Sequence, residues 1–373
     1  MSRTGRFQDW LPKIAEAALT GDDKKLEIVL VGAIRACKKD APDVSQKLGE
    51  LLSQHSVNPN GLRWQNGPPP VDAEEGFALV RAEAVDDAPS PIVPSSLSKR
   101  VSQFVNERKG CERLLAEGIL PPGSLLLTGA PGTGKTMLSR WIARELSLPL
   151  VTLDLATSIS SLLGKTGFNL RRTLDYARSR PCVLLLDEFD AIAKRRDDAS
   201  EVGELKRIVN VLLKELEDWP LQSVLVAATN HPELLDRAIA RRFDIVLEVP
   251  LPGEQERLEI LTRSARRFSS EIPAGFLKAL SGALDGASGS DLASFMNAAV
   301  RHHLSSEEDI VRSLVEEFQT RLSGRLSSQN IGTFLRSIQS NAQEVFKVRE
   351  LATLFGKSTS TIQHHLKKEI QHG

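Results

Sequence analysis

One segment of the chain has residue types and spacing suited to holding phosphate groups. Residues 129–136 follow the pattern GxxxxGKT and read Gly129, Ala130, Pro131, Gly132, Thr133, Gly134, Lys135 and Thr136. Glycines let the backbone approach an anion, so successive N–H groups can point at phosphate oxygens at the start of a helix expected from Met137. The Lys135 ammonium would reach the terminal phosphates, and the Thr136 hydroxyl would bind Mg²⁺. The segment predicts a site for a nucleoside triphosphate.

Polar residues at the ends of two later apolar runs would complete this chemistry. Asp187 and Glu188 follow the run Val183–Leu186, and ligands of parallel α/β sheets gather at the carboxyl ends of the strands. We expect Asp187 to help hold Mg²⁺ and Glu188 to orient and polarise the attacking water as a base. Asn230 follows another apolar run and would present its amide beside the terminal phosphate, although asparagine in this position is also a common turn former.

Two adjacent arginines, Arg241 and Arg242, are a further candidate. They have no evident acidic partner close by in sequence and suit a phosphate held by a neighbouring subunit. The alternative is an intramolecular salt bridge to Glu217 or Asp236. Which of the two arginines would contact the phosphate stays open.

Apolar runs with helical patterns between them predict the sheet that positions these residues. The predicted strands are Leu125–Leu127, Leu150–Leu153, Val183–Leu186, Val224–Ala228 and Ile245–Val249. Near-continuous aliphatic strands that alternate with helices indicate a parallel sheet covered on both faces.

Composition and periodicity divide the chain into five segments. They are a helical N-terminal bundle at 1–57, a proline-rich linker at 58–94, an α/β nucleotide-binding core at 95–251, a helical lid at 252–325 and a helical tail at 326–373. A bundle of three short helices is small for independent stability, so we expect it to dock on a partner or on its own neighbours. A short strand is predicted within the linker at Phe77–Val80.

Bulk properties restrict the partners of the chain. Lys plus Arg and Asp plus Glu number 48 each, so no global charge favours nucleic acid or a membrane surface. No apolar stretch approaches the roughly 20 residues of a membrane span, and the N-terminus lacks the apolar region of a signal peptide. We expect a cytoplasmic protein without membrane association, in which Cys37, Cys111 and Cys182 are reduced structural thiols.

In their order and spacing, the candidate residues resemble those of AAA+ ATPases, and most of all the AAA group, from about residue 95 to residue 303. The resemblance identifies residues 129–136 as Walker A, Asp187 and Glu188 as Walker B, Asn230 as sensor 1, and Arg241 and Arg242 as arginine-finger candidates. Gly289 and Ser290 lie in a segment similar to the lid motif that approaches the adenine side of the nucleotide. The resemblance implies a P-loop NTPase fold that binds ATP and Mg²⁺ and hydrolyses ATP in a homo-oligomeric ring, commonly a hexamer, with ATP held between protomers.

The sequence departs from the family pattern between the second and third predicted strands. Leu162 stands where many AAA unfoldases carry a pore aromatic. An aliphatic side chain could still wedge against a threaded polypeptide, but it lacks an aromatic face and would grip less strongly. Packing within the core or between subunits is an equally good interpretation of Leu162.

The C-terminal tail resembles a helix-turn-helix. Ala352 would permit a close crossing of two helices, Gly356 would form the turn, and Ser358 or Thr359 would cap the second helix, on which Ile362 packs back. Weak basic charge and His365 at a position that is usually apolar disfavour DNA binding. A protein-docking helical hairpin is the alternative.

Three functions compete at this point. The leading hypothesis is a ring that remodels a macromolecular client, and related bacterial single-module ATPases are often paired with a separate effector, such as a subtilisin-like protease, in anti-phage defence or plasmid maintenance. The second is an ATP-controlled DNA-binding switch or loader that reads DNA with the tail. The third is an assembly module that binds ATP without turnover, which intact Asp187, Glu188 and Asn230 disfavour.

Overall fold

The computed structural model describes residues 9–20, 23–38, 41–56, 80–155, 166–191, 219–235, 237–268, 271–306, 308–322, 328–342 and 346–367. The chain divides into two compact units. The first comprises Met1–Pro91, Ser95–Gly129 and Lys135–Val249, and the second comprises Ile92–Pro94, Ala130–Gly134 and Pro250–Gly373. The central residues of the glycine-rich segment therefore group with the C-terminal unit.

Six strands form one sheet in the first unit. They are β1 (Arg81–Glu83), β2 (Ser124–Thr128), β3 (Leu150–Asp154), β4 (Val183–Asp187), β5 (Val224–Thr229) and β6 (Ile245–Glu248). Their order is β1-β3-β4-β5-β2-β6, and every pairing is parallel except that of β1 with β3. The five strands predicted from aliphatic runs all form, and the α/β class with a parallel sheet is confirmed.

The helices of the first unit are α1 (Leu11–Thr20), α2 (Asp23–Cys37), α3 (Pro42–Ser56), α4 (Ser95–Lys109), α5 (Cys111–Ala116), α6 (Lys135–Glu145), α7 (Thr166–Arg178) and α8 (Arg237–Ala240). The central strands β2 and β5 are buried along their whole length, because neighbouring strands cover their edges and side chains from helices and loops cover their faces. Among the described residues, Cys37, Cys111 and Cys182 are buried and free of disulfides.

Residues 81–83 of the predicted linker join this sheet. The edge strand is Arg81–Glu83, where Ala82 pairs with Val151 of β3, whereas the sequence predicts a strand over Phe77–Val80. Val80 precedes the strand and is buried. Of the predicted strand, residues 77–79 lie outside the described residues.

The N-terminal bundle docks on its own chain. Apolar side chains of α2 and α3 form a cluster with Leu115 of α5 and with Leu221, which lies in the segment that leads into β5. Arg35 of α2 donates a hydrogen bond to the Gly118 carbonyl, and Lys38 forms an ion pair with Glu117. The bundle and the sheet therefore share a hydrophobic contact with polar bonds at its edge.

The second unit is helical. Its helices are α9 (Glu254–Ser264), α10 (Ala274–Ala283), α11 (Gly289–Ser306), α12 (Ile310–Leu322), α13 (Ser328–Ala342), α14 (Val348–Leu354) and α15 (Thr359–Lys367). A single hydrophobic cluster runs from Leu261 of α9 to Ile362 of α15. The segments predicted as a lid at 252–325 and a tail at 326–373 thus contribute to one core, and no boundary in packing separates them.

The tail contains three helices, α13, α14 and α15, and the sequence predicts the last two and the turn between them but not α13. Gly356 adopts a φ of 58°, a left-handed conformation that glycine tolerates, and the Ser358 hydroxyl accepts a hydrogen bond from the Thr361 N–H at the start of α15. Ala352 and Ile362 are buried in the hydrophobic cluster of the unit. Across the parts of the chain that the structure describes, no helix is long and apolar enough to cross a membrane.

Candidate active site

The phosphate loop, residues 129–136, follows β2 and leads directly into α6. Gly129, Gly132 and Gly134 have φ values of 147°, 76° and 97°, a region in which other residues are strained. The Thr133 hydroxyl donates a hydrogen bond to the Ala130 carbonyl. Helix α6 begins at Lys135, so its unsatisfied N–H groups and positive dipole end adjoin the loop. This backbone suits an anion.

The side chain of Lys135 connects the residues that follow two strands of the sheet, β2 and β5. Its Nζ donates to the Gly129 carbonyl at 2.8 Å and to Asn230 Oδ1 at 2.7 Å. Lys135 is 6% exposed, and this burial lowers its pKa, while the charges of Asp187 and Asp190 raise it. The phosphate loop is thereby bonded to the end of β5 by a lysine whose charge two carboxylates support.

Asp187 lies beside the threonine of the phosphate loop. The Thr136 hydroxyl donates to Asp187 Oδ2 at 3.1 Å, and Asp187 Oδ1 accepts a hydrogen bond from the Glu188 N–H. A hydroxyl and a carboxylate within hydrogen-bond distance form an all-oxygen donor pair, which is the chemistry that Mg²⁺ prefers. Thr136 and Asp187 therefore fit the magnesium site expected from the sequence.

Glu188 has a backbone conformation that is uncommon for a side chain of its size. Its φ is 53°, and it is one of two non-glycine residues with positive φ among those described. Such strain is concentrated at functional sites, where the surrounding structure holds it. The Glu188 side chain is exposed, and Phe189, the next residue, donates its N–H to the Ala228 carbonyl of β5 at 2.8 Å.

Asp190 holds the end of β5 in place. It is 3% exposed, and its Oδ1 accepts hydrogen bonds from the Thr229 hydroxyl at 3.0 Å and from the Asn230 N–H at 3.3 Å. These bonds orient the backbone that carries the Asn230 amide. The sequence analysis missed Asp190, for which the only available signal was its position two residues after Glu188.

The arginine loop, residues 241–244, lies at the other end of the sheet. Strand β6 begins at Ile245 and is parallel to β2, with Leu125 opposite Ile245 and Thr128 opposite Glu248. The arginine loop thus adjoins the amino end of β2, whereas the phosphate loop follows its carboxyl end. Arg241 and Arg242 are both exposed. Glu217 and Asp236, the alternative salt-bridge partners, lie outside the described residues.

Asp244 fixes the arginine loop to β2. Its Oδ2 accepts hydrogen bonds from the Gly123 N–H, the Ser124 N–H and the Ser124 hydroxyl at 2.8–2.9 Å. The Ser124 hydroxyl in turn accepts the Asp244 N–H at 3.0 Å. The sequence does not predict this reciprocal arrangement, because the two partners are 120 residues apart.

Within the second unit, the glycine-rich segment contacts the start of α11. The Ser290 N–H donates to the Gly132 carbonyl at 3.1 Å, and a Cβ added to Gly132 would lie 2.6 Å from Ser288 Oγ. Ser288 and Asp291 form a reciprocal cap, in which the Ser288 N–H and hydroxyl bond to the Asp291 carboxylate and the Asp291 N–H bonds to Ser288 Oγ. Gly289 and Ser290 therefore lie against Gly132, and their role on the adenine side of the nucleotide stays a prediction.

Leu162, the candidate pore residue, lies outside the described residues. His302, Glu308 and Glu316 bring their ligand atoms within 4.8 Å of one another, but Arg312 bonds to Glu316 at 3.1 Å and lies 3.6 Å from Glu308. The Arg312 guanidinium already offsets part of the negative charge of this cluster.

Comparisons with known proteins agree with this geometry. Residues 125–251 match the family described as "ATPase family associated with various cellular activities (AAA)". An uncharacterised AAA family ATPase, y4kL, from Sinorhizobium fredii is 32% identical over 326 residues, which cover 85% of this chain and 93% of that protein. An ATP-dependent zinc metalloprotease FtsH from Acidothermus cellulolyticus is 34% identical over 209 residues, which cover 53% of this chain and 31% of that protein.

A solved structure supports the fold. The crystal structure of the FIGL-1 AAA domain aligns with a TM-score of 0.54 at 20% identity, over 70% of this chain and 92% of that one. At this identity the likeness concerns the fold alone. The metalloprotease is much longer than the region it shares with this chain, so its protease activity does not transfer.

Proposed function

The chain belongs to the AAA family of ATPases and hydrolyses ATP, and we propose that it does so in an oligomeric ring that remodels a macromolecular client. The observation that carries the ring is the position of the arginine loop at the amino end of the parallel sheet. Asp244 lies opposite Ser124, the first residue of β2, and this position is about 13 Å along β2 from Thr128, the last residue of that strand. Exposed arginines at that end suit the phosphate of a second protomer better than that of their own.

The carboxyl end of the sheet supplies the other half of the proposed site. Backbone N–H groups of the phosphate loop and the Lys135 ammonium bind the phosphates, which requires Lys135 to exchange its bond with Asn230 for one with a phosphate oxygen. Glu188 accepts a hydrogen bond from the attacking water, and Asn230 holds that water or the terminal phosphate. Gly289 and Ser290 contact the adenine side.

Magnesium fits this site through Thr136 and Asp187, whose oxygens already lie together. When bound, Mg²⁺ neutralises charge on the β- and γ-phosphate oxygens. Arg241 or Arg242 of the neighbouring protomer would add positive charge on the opposite side of the γ-phosphate. A lone protomer should therefore turn over ATP slowly.

The experiment that tests the ring is phosphate release per protomer measured against protein concentration, together with sedimentation at the same concentrations. We expect the rate per protomer to rise as the assembled fraction rises, and chelation of Mg²⁺ to abolish it. A rate that is constant while the protein sediments as a monomer would contradict the proposal.

We propose a protein client, destroyed or remodelled with the help of a separate effector. The 373 residues contain no HExxH zinc motif, whereas the FtsH relative is named a zinc metalloprotease. An ATPase of this kind would pass its client to a partner, such as a protease in a defence system. The test is a pull-down with Glu188→Gln in ATP, with Lys135→Met as the matched variant that should not bind nucleotide.

The DNA-binding alternative predicts a different outcome of that pull-down. It draws support from the tail, where α14 and α15 flank a glycine turn and Gln363 and His364 are exposed on α15. Protein retained only by Glu188→Gln favours the remodeller. DNA retained in a salt-sensitive manner, and lost on Gln363→Ala with His364→Ala, favours the switch.

A further inference from the structure

Within one protomer, an aromatic contact joins the segment that carries Glu188 to the arginine loop. The rings of Phe189 and Phe243 meet edge to face, with centroids 5.7 Å apart and planes at 84°. Both side chains are buried in the hydrophobic cluster on the sheet, at 0% and 6% exposure. Edge-to-face packing fixes the orientation of both rings, because the positive edge of one points at the negative face of the other.

On one side, this contact reaches the catalytic base. Phe189 directly follows Glu188, whose φ of 53° needs the surrounding structure to hold it. The Phe189 N–H is bonded to the Ala228 carbonyl and the Ala191 N–H to the Glu188 carbonyl, so hydrogen bonds and the Phe189 ring together fix the backbone on the carboxyl side of Glu188. A shift of the Phe189 ring would change the direction in which the Glu188 carboxylate points.

On the other side, the contact reaches the arginine loop. Phe243 directly follows Arg242 and directly precedes Asp244, which is bonded to Gly123 and Ser124. The loop is therefore held by the Phe243 ring and by the Asp244 carboxylate. Arg241 and Arg242 are exposed, and the backbone of their loop is also held by hydrogen bonds from the Arg242 N–H to the Ile239 carbonyl and from the Phe243 N–H to the Ala240 carbonyl.

We propose that Phe189 and Phe243 are positioning residues that couple the base of one ATP site to the arginines that serve the next site. The inference rests on the proposed ring with arginines acting in trans. Neither ring touches ATP. Their contact sets the arginine loop of a protomer according to the conformation at its own Glu188, so that successive sites in the ring respond to one another.

Mixed rings separate the two roles of a protomer. The acceptor protomer carries both Arg241→Ala and Arg242→Ala, so it keeps its own base but supplies no arginine to the ATP site of its neighbour. The donor protomer carries Glu188→Gln, so it has no base but still supplies its arginines. Mixing them should restore phosphate release at acceptor sites, and the test is to add Phe243→Leu to the donor alone and compare the restored rates.

We expect the Phe243→Leu donor to restore roughly 10- to 100-fold less kcat than the parent donor, with KM for ATP little changed, since a displacement of about 1 Å has effects of this size. Phe189→Leu in the donor should act in the same way, although that donor has no functional base of its own. Leu174→Val, a buried change in the same hydrophobic cluster, is the matched control and should restore the parent rate.

Thermal unfolding of each donor and sedimentation of each mixture exclude a simple loss of fold or assembly. Equal restoration by the Phe243→Leu, Phe189→Leu and parent donors, in assembled rings, would overturn the coupling and leave the ring proposal intact. If the parent donor itself restores nothing in assembled mixtures, the arginines do not act in trans, and the ring proposal and the coupling both fall.

Discussion

At the carboxyl end of the parallel sheet several polar residues are buried and bonded to one another, although Glu188 is exposed, whereas at the amino end beside β6 both arginines are exposed. Lys135, Asp190 and Thr229 are each less than 10% exposed, and hydrogen bonds run between the phosphate loop, β4 and β5. Arg241 and Arg242 are exposed on a loop whose Asp244 carboxylate is bonded to Gly123 and Ser124. One end is prepared to hold ATP, and the other is prepared to meet something outside the protomer.

In the proposed ring, the difference between the two ends would make turnover depend on assembly. The network at the carboxyl end would hold ATP in any protomer, but charge stabilisation from outside would become available only when a neighbour is in place. Substitutions can be made at either end of the sheet, and the two kinds should differ in their effects on ATP binding and on the rate of hydrolysis.

The largest effect is expected at the exposed end. Replacing Arg241 and Arg242 together by alanine should lower kcat by about 10³- to 10⁵-fold, the range for an arginine supplied in trans. ATP binding to the protomer should be retained, because the phosphate loop is untouched. Steady-state phosphate release and equilibrium nucleotide binding measure the two quantities. Arg301→Ala, on the exposed side of α11, is the control, and the single variants identify which arginine contributes more.

At the buried end, Glu188→Gln should lower kcat by about 10²- to 10⁴-fold, because a glutamine cannot accept a proton from the attacking water. ATP should accumulate on the protein without hydrolysis, which single-turnover experiments detect. Glu112→Gln, an exposed change on α5, should have no effect. Wild-type phosphate release by Glu188→Gln would remove Glu188 from the mechanism.

Asn230→Ala tests the bond between β5 and the phosphate loop. Loss of the Oδ1 acceptor of Lys135 and of the amide beside the phosphate should reduce kcat by about 10²-fold, similar to removing one positioned hydrogen-bonding group from an active site. Asn297→Ala on α11 is the control. An unchanged rate would mean that the Asn230 amide only shapes the turn after β5.

The smallest effect is expected for Asp244→Ala. The variant loses three hydrogen bonds to Gly123 and Ser124, and we expect the free energy of unfolding to fall by about 1–3 kcal/mol. The rate should fall in proportion to the disorder of the arginine loop, with ATP binding preserved. Chemical denaturation, with the exposed Asp87→Ala as control, measures the stability.

How far the sequence predicts this molecule differs between the two ends of the sheet. The phosphate loop, the acidic pair and Asn230 follow apolar strands directly, so local pattern predicts their placement. Asp190 and Asp244 act through partners 39 and 120 residues away, and nothing in the local sequence specifies such bonds. The sequence does not predict the Phe189–Phe243 contact for the same reason, because each phenylalanine alone is an ordinary core residue.

The edge strand and the tail show the same limit. A short edge strand is defined by its partner, and β1 begins at Arg81 because Arg81–Glu83 pair with β3. Local pattern predicts α14 and α15 of the tail but not α13, and the packing of the tail into one core with α9–α12 depends on contacts distant in sequence. The segment boundaries predicted at 95, 252 and 326 therefore remain proposals about folding units.

The central claim is that each ATP site combines the buried end of one protomer with the exposed end of another. The most direct measurement is phosphate release from a titration of the acceptor, Arg241→Ala with Arg242→Ala, with the donor, Glu188→Gln, neither of which turns over ATP at an appreciable rate alone. The account predicts a rate that rises to a maximum in mixtures and falls again with excess donor. A rate in assembled mixtures that never exceeds the sum of the two separate variants would contradict it.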